Sequence, residues 1–366
     1  MKRIGIDARL YFQTGVGVYL RNFFHFLQQN PPTGYEFYIY VLKKDEYQIS
    51  FNSSQFIKRE VHSHWHSFSE QTAFLQKLNQ DKLDLMHFTY FSYPVLYKRK
   101  FIATVHDITP LIHKTGRAST LHPLLYELKY QSFKFVLQQQ VKNARIIITP
   151  TKAVKNQLLD VYGKKYETKI MPIYEGINYE MEQAQENISL KSKFKKPFFV
   201  YIGNFYPHKN VETLIRAFQH IPSEYELVLV GPDSYFAGRV QKELYEKKIT
   251  NIRFYHTGSI EDLVFFYKNA IALINPSISE GFGLPLVEAA YFKLPVIASD
   301  LKVFHEIVGD SFISFDPQSV EQLKTILLHV IQKKQQLIKP TINKQISFKQ
   351  MTSAIVNLYH NELKAI

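Results

Sequence analysis

Two carboxylates eight positions apart, Glu280 and Glu288, bracket a glycine-rich turn in the run SEGFGLPLVEAA at 279–290. The apolar run 271–276 before it reads as a buried parallel strand. The segment 285–292 after it reads as a helix with proline near its first position, where a missing N–H costs nothing. Glu280 then falls on the loop at the strand's carboxyl end, and Glu288 in the first helical turn or just beyond it. Gly281 and Gly283 let backbone N–H groups come close to a ligand at a helix N-terminus, a place suited to an anion. A loop carboxylate, an amide nest through Phe282 and Leu284, and a second carboxylate together suit a ligand with both hydroxyls and phosphates, as in a nucleotide sugar.

Other residues in the chain fit the same chemistry. The run YIGNFYPHKN at 201–210 ends a strand at Gly203, carries His208 and Lys209 on a loop, and leads into a helix. A lysine entering a helix N-terminus suits a pyrophosphate, although a solvated lysine fits the pattern too. In ATVHD at 103–107, His106 stands at a strand's carboxyl end, a position that a structural histidine bonded to backbone also occupies. Gly15 and Gly17 follow the first strand and precede a helix, either as an ordinary turn or as a close approach to a ligand beyond the sheet. Ser259 and Asp262 have the spacing of a helix cap, with Ile260 between them. His62, His64 and His66 alternate along a possible strand, a pattern from which metal binding is conceivable but not expected. The chain has no Asp-x-Asp element to hold a metal-diphosphate, so metal independence is expected.

The elements that must position these groups alternate almost throughout. Strand patterns at 3–7, 37–42, 83–88, 101–106, 145–149 and 170–173 are interleaved with helices, among them 18–29 and one from 152 that Thr151 can cap. Residues 178–196 are polar and end in Lys-Pro, the composition of a linker. Strands then resume at 198–202, 226–230, 252–255, 295–298 and 312–315, with helices at 211–220, 239–246 and 261–269. Two such series in 366 residues, 45% of them hydrophobic, predict an α/β chain of two Rossmann-like domains facing across a cleft. The expected division is 1–180, a linker at 181–196, 197–347, and a final helix at 348–366.

Charge and composition narrow the partners. A net charge of +13, concentrated in 96–170, points to an anionic partner. No recognised nucleic-acid-binding motif accompanies it, so no nucleic acid is expected. Leu121, Leu124, Leu125 and Leu128 recur at helical spacing among Tyr126, Lys129, Tyr130, Phe133, Lys134 and Phe135. That stretch reads as a core helix with a basic rim or as a surface facing an anionic membrane. There is no cysteine, no apolar run long enough to span a bilayer and no secretory pattern at the N-terminus, as in a cytoplasmic protein, peripheral at the inner face of the cell membrane under the second reading.

The string around Glu280 and Glu288 resembles the E-x7-E element of retaining glycosyltransferases of family 4, which have the GT-B fold. The opening IGIDAR at 4–9, with Gly15 and Gly17, resembles bacterial mannosyl- and rhamnosyltransferases of polysaccharide assembly. The resemblance implies that Glu288 holds the ribose, that Lys209 and the amides at 281–284 hold the diphosphate, and that Glu280 contacts the donor sugar. It places His106 on the same hexose, Gly15 and Gly17 beside the diphosphate and acceptor, and Ile260 against the base. It implies no cofactor, a nucleoside-diphosphate sugar as donor, GDP-mannose favoured, and a glycan or lipid-linked acceptor. The final helix is expected to cross back to the first domain. Asn204 departs from the family, which commonly has arginine there, and this weakens the expected two-cation clamp. A sugar-nucleotide epimerase of the same fold is the alternative, and a basic nucleic-acid-binding protein a more distant one.

Overall fold

The computed structural model describes residues 1–112, 123–256 and 258–364. These residues form two compact units; the chain passes from the first to the second between residues 176 and 177 and returns between 344 and 345. Leu121 lies outside the described residues, as do Thr257 and the side chains of Leu124 and Leu125.

In the first unit the described residues form a seven-stranded sheet. Its strands are β1 (Lys2–Asp7), β2 (Tyr35–Leu42), β3 (Phe56–Val61), β4 (Leu85–Phe88), β5 (Phe101–Thr104), β6 (Ile147–Thr149) and β7 (Ile170–Pro172). They run parallel in the order β3-β2-β1-β4-β5-β6-β7. The order reverses direction beside β1, and in open α/β sheets ligands bind beyond the carboxyl ends of strands at such a point. The central strands are buried on both faces, as in a sheet covered on both sides: all four residues of β4 and of β5 are buried, the polar pair His87 and Thr104 bonded to each other at 2.8 Å. The C-terminal helix Phe348–Lys364 packs on this unit. Tyr359 Oη is hydrogen-bonded to His87 Nδ1 at 2.7 Å, and Tyr35 Oη to His360 Nδ1 at 2.8 Å.

The carboxyl end of β1 carries a buried charge cluster. Arg9 donates to both oxygens of Asp7 at 2.8 and 2.6 Å and to Glu70 Oε1 at 2.7 Å, and its guanidinium lies 4.1 Å from the Phe74 ring centroid. Burial opposes the arginine's charge, but the Asp7 and Glu70 carboxylates outweigh it and hold the pKa above its usual value. Ser92 Oγ donates to Glu70, and Thr89 Oγ1 to the Asp7 carbonyl.

In the second unit the described residues form a six-stranded sheet. It comprises β8 (Phe198–Ile202), β9 (Glu226–Val230), β10 (Ile252–Tyr255), β11 (Leu273–Asn275), β12 (Val296–Ser299) and β13 (Ile313–Phe315). All pairs are parallel, in the order β10-β9-β8-β11-β12-β13. The order turns beside β8, so the loops after β8 and β11 leave the same part of the carboxyl edge. The helices Val211–Phe218 and Val320–Ile331 pack together on one face, where Leu214, Phe218, Leu323 and Leu327 are fully buried.

The sequence reading and the structure differ in four places. The histidine alternation is not a strand: β3 ends at Val61, His62 pairs with Glu60 at 3.2 Å, and His66, at φ 56°, stacks on Phe91. The described residues bring no three metal-ligating side chains together. Residues 181–196 fold rather than hang free: the helix Tyr179–Gln183 and the turn Ile188–Ser192 bury Met181 and Leu190, and Phe194 is buried after them. The first long helix is Val16–Gln29, so Gly17 lies inside its first turn instead of on a loop. The segment between β2 and β4 holds β3, a π-helical turn Glu70–Phe74 and the helix Leu75–Asp81, none of which the periodicity singled out.

Candidate functional site

The loop after β11 and the loop after β8 meet in the second unit. Ile278 N donates to His208 O at 2.9 Å, tying them together. Asn210 fixes the second loop. Its backbone is left-handed at φ 55°, and its amide nitrogen donates to Pro276 O at 3.0 Å and to Pro317 O at 2.8 Å. Its side-chain oxygen accepts from Thr213 Oγ1 at 2.8 Å. An asparagine tolerates this conformation better than most side chains, and its amide bridges two carbonyls.

The brace brings Lys209 onto Glu280: Nζ lies 2.7 Å from Oε1, with the side chains 19% and 10% exposed. Ser277 Oγ donates to the same oxygen at 2.9 Å. Oε1 is thus occupied twice, and Oε2 takes no hydrogen bond among the described residues. The lysine ammonium has three donors and uses one here, so two stay available to an anion.

Gly281, Phe282 and Gly283 are buried at the head of the helix Leu284–Tyr291. Gly283 is left-handed at φ 91°, and a Cβ there would stand 2.9 Å from the Phe304 ring, so only glycine fits. Pro285 lies in the first helical turn, with the helix's unpaired amides facing the loop. Glu288 is buried on this helix, 9% exposed. Its partner is Tyr267 on the helix Ile260–Asn269, whose hydroxyl donates to Oε2 at 2.5 Å. Burial pushes the Glu288 carboxyl up to about 7, against the opposing effect of the Tyr267 hydrogen bond.

Ser259 caps its helix, accepting from Asp262 N at 3.2 Å. The Asp262 carboxylate is taken instead by Asn187 and Tyr255, each at 2.8 Å, so the cap is not reciprocal. Ile260 begins that helix and, with Gly258, Tyr179 and Glu180, lines an open concavity of ≈ 650 Å³. Gly203 closes β8, with Asn204 after it, and the Asn204 carbonyl accepts from the Tyr201 hydroxyl.

In the first unit, His106 follows β5 with both ring nitrogens engaged: Nδ1 with Glu175 Oε1 at 3.1 Å and Nε2 with Thr89 O at 3.0 Å. Tyr19 stands edge-on to the ring at 4.8 Å. Gly15 precedes the first long helix at φ 67°, and a Cβ on Gly17 would stand 2.6 Å from Tyr11 O. Sequence reasoning missed Tyr267, Ser277, Asn210 and Glu175. Among these only Asn210, directly after His-Lys at a helix start, has a local signal.

Two Rossmann-like units of this kind define the GT-B class of glycosyltransferases. Two family models match in tandem, "Glycosyltransferase Family 4" over residues 14–181 and "Glycosyl transferases group 1" over 182–346, and the chain belongs to this family. It is similar to the O-antigen chain mannosyltransferase RfbU of Salmonella typhimurium, 28% identical over 239 residues, covering 64% of this chain and 65% of that one. It is similar also to the O-antigen chain mannosyltransferase B of Escherichia coli, 25% identical over 277 residues, covering 70% and 69%. The matched part is thus about two thirds of each relative's length. The structure of a sucrose-phosphate synthase (tll1590) from Thermosynechococcus elongatus shares the fold, with a TM-score of 0.79 at 16% identity over 100% of both chains.

Proposed function

We propose that this chain is a retaining glycosyltransferase that moves a hexose, mannose favoured, from a nucleoside-diphosphate sugar to a glycan or lipid-linked acceptor in cell-surface polysaccharide synthesis. The observation that carries the reading is the Lys209–Glu280 pair, set at the carboxyl edge of the second sheet beside the amide-rich head of the helix that holds Glu288. Similarity to two O-antigen mannosyltransferases favours mannose, and a GDP-linked donor is part of the proposal. Glu288 accepts from the ribose hydroxyls. Lys209 and the amides at 281–284 hold the diphosphate, and Glu280 Oε2 accepts from a hydroxyl of the donor sugar. Ile260 borders the base, and Gly203 and Asn204 line the approach to the phosphates. His106 is assigned to the hexose, and Gly15 and Gly17 to the acceptor side.

In the reaction the bond from the anomeric carbon to the diphosphate oxygen breaks, and a bond to the acceptor oxygen forms on the same face. The acceptor's proton passes to the departing diphosphate. Negative charge grows on the leaving oxygen, and Lys209 stabilises it there. Glu280 orients the ring and offsets positive charge near the anomeric carbon, with one oxygen committed to Lys209 and Ser277. This chemistry needs no metal, and full activity in chelator is expected.

The test is donor hydrolysis by the purified protein against GDP-, UDP- and dTDP-hexoses, with Glu280→Ala as control. Slow release of one nucleoside diphosphate, lost in the variant, supports the reading. Conversion of a donor to its epimer without acceptor would replace it with the epimerase alternative.

Acceptors carried on lipid would be met at an anionic membrane surface. No described helix is long and apolar enough to cross a membrane. The helix Pro123–Asn143 buries Leu137 and Val141 but leaves Leu128 66% and Phe135 52% exposed, flanking Lys129 and Lys134. Leu128 and Phe135, seven residues apart, share a helix face. Pelleting with anionic liposomes at low salt, lost on K129E/K134E, is the expected result. Absence of pelleting by the unmodified protein would remove the membrane from the proposal.

A further inference from the structure

Glu288 is a buried carboxyl with a single close partner. Of its two oxygens, Oε2 accepts from the Tyr267 hydroxyl at 2.5 Å, and Oε1 takes no hydrogen bond among the described residues. Tyr267 is itself fixed. It is 1% exposed, and its ring stacks on Phe292, centroids 5.7 Å apart, one residue past the helix that carries Glu288.

The surrounding elements offer no competing charge. The strand β11 packed beneath carries none in Leu273–Asn275. The helix Lys302–Val308, packed alongside, carries Lys302, His305 and Glu306, and His305 is held by Asp300 at 2.7 Å and Asp310 at 3.0 Å. On Tyr267's own helix, Glu261 and Asp262 lie in the first turn and Lys268 in the last. Among the described residues, burial and the Tyr267 hydrogen bond are what act on the Glu288 carboxyl.

A phenol hydroxyl donates more strongly to a carboxylate than to a neutral acid. From this we infer that Tyr267 is a positioning residue for Glu288: it pins Oε2, favours the ionised form and leaves Oε1 to accept from a ligand hydroxyl. The inference rests on the proposed role of Glu288 toward the ribose. It makes nucleotide binding proton-linked: the ionised carboxylate accepts from the ribose, so binding strengthens as pH rises through about 7, where Glu288 ionises. Removing the phenol leaves burial unopposed and moves that midpoint upward by about one unit, the size of one charge-assisted hydrogen bond.

Tyr267→Phe keeps the ring and its stacking and removes only the hydroxyl. GDP and UDP binding, measured by calorimetry from pH 6 to pH 9, is the first readout. The variant is expected to bind about fivefold more weakly near pH 7, approaching about tenfold below it, and to recover at the alkaline end. A uniform loss at every pH, or none, overturns the inference while leaving the nucleotide site intact.

The second readout needs no ligand. A carboxyl raised on folding contributes stability that is present below its unfolded value and lost as pH rises through its folded value. The melting temperature of Tyr267→Phe should therefore fall further below that of the unmodified protein as pH rises from 5 to 9. The same substitution in a Glu288→Gln background should give a difference that does not depend on pH. A pH-independent difference in the Glu288 background overturns the inference. If neither nucleotide binds the unmodified protein at any pH, the ribose reading fails, and the melting series still decides whether Tyr267 governs Glu288.

Discussion

Alanine at Glu280 is expected to lower the turnover of glycosyl transfer by roughly 10²- to 10³-fold, the cost of removing one preorganised electrostatic group from a reacting centre. Alanine at Lys209 should cost a similar factor, and the double variant should be no more than about threefold worse than the poorer single. The prediction follows from the shared contact. Lys209 Nζ and Glu280 Oε1 are 2.7 Å apart, so each fixes the other. Without Glu280 the ammonium loses the group that orients its remaining donors. Without Lys209 the carboxylate, 10% exposed, keeps only Ser277 and is free to turn. Steady-state kinetics on the donor identified by hydrolysis, with all three variants, checks this. Near-normal turnover in either single variant would remove that residue from the centre. Losses that multiply in the double would mean that the two act independently.

Part of this site was legible in sequence because its constraints are local. The glycines and proline at 281–285 state a turn into a helix, and the two glutamates around it keep their spacing wherever the chain goes. Lys209 was legible as a cation at a helix start, but not as the partner of a glutamate 71 positions away. That contact depends on β8 and β11 being neighbours in the sheet, which no local pattern encodes. Tyr267 was invisible for a related reason. It lies 21 residues before Glu288, inside an apolar helix where an aromatic looks like core, and only its hydroxyl marks it out. The histidines at 62–66 misled because alternation suggests a strand, whereas the ladder of β3 with β2 stops at Val61 paired with Leu42. The existence of most strands followed from their alternation with helices far better than their exact ends did. The short strands β6, β7, β11 and β13 have three residues each, so one or two residues at an end are a large share of the element.

The opening string at 4–9 was read through its resemblance to mannosyl- and rhamnosyltransferases, and the structure gives Arg9 a physical role as well. Arg9→Met is expected to destabilise the first unit by about 3–5 kcal/mol, because it leaves Asp7 and Glu70 as uncompensated buried carboxylates. Asp7 is 1% exposed and Glu70 fully buried, and Arg9 is the cation bonded to both. Methionine fills much the same volume and keeps contact with Phe74, so the loss reports the charge imbalance rather than a cavity. The cluster spans β1 and the π-helical turn at Glu70–Phe74, which also carries the loop from Ser63, whose carbonyl accepts from Arg9 at 3.2 Å. Losing the arginine should therefore free that loop before the sheet yields. A chain of two units need not unfold in one step, so amide exchange in β1, β2 and residues 63–74 is the appropriate measure. Replacing the whole cluster with apolar residues, D7L/R9M/E70L, should restore most of the loss, since a buried ion cluster is not intrinsically more stable than well-packed apolar side chains. Wild-type protection in Arg9→Met would show that the arginine's charge does not hold this end of the sheet. A triple variant as unstable as the single would instead show that the cluster's hydrogen bonds to Ser92 and the Ser63 carbonyl hold this end of the sheet, independently of charge balance.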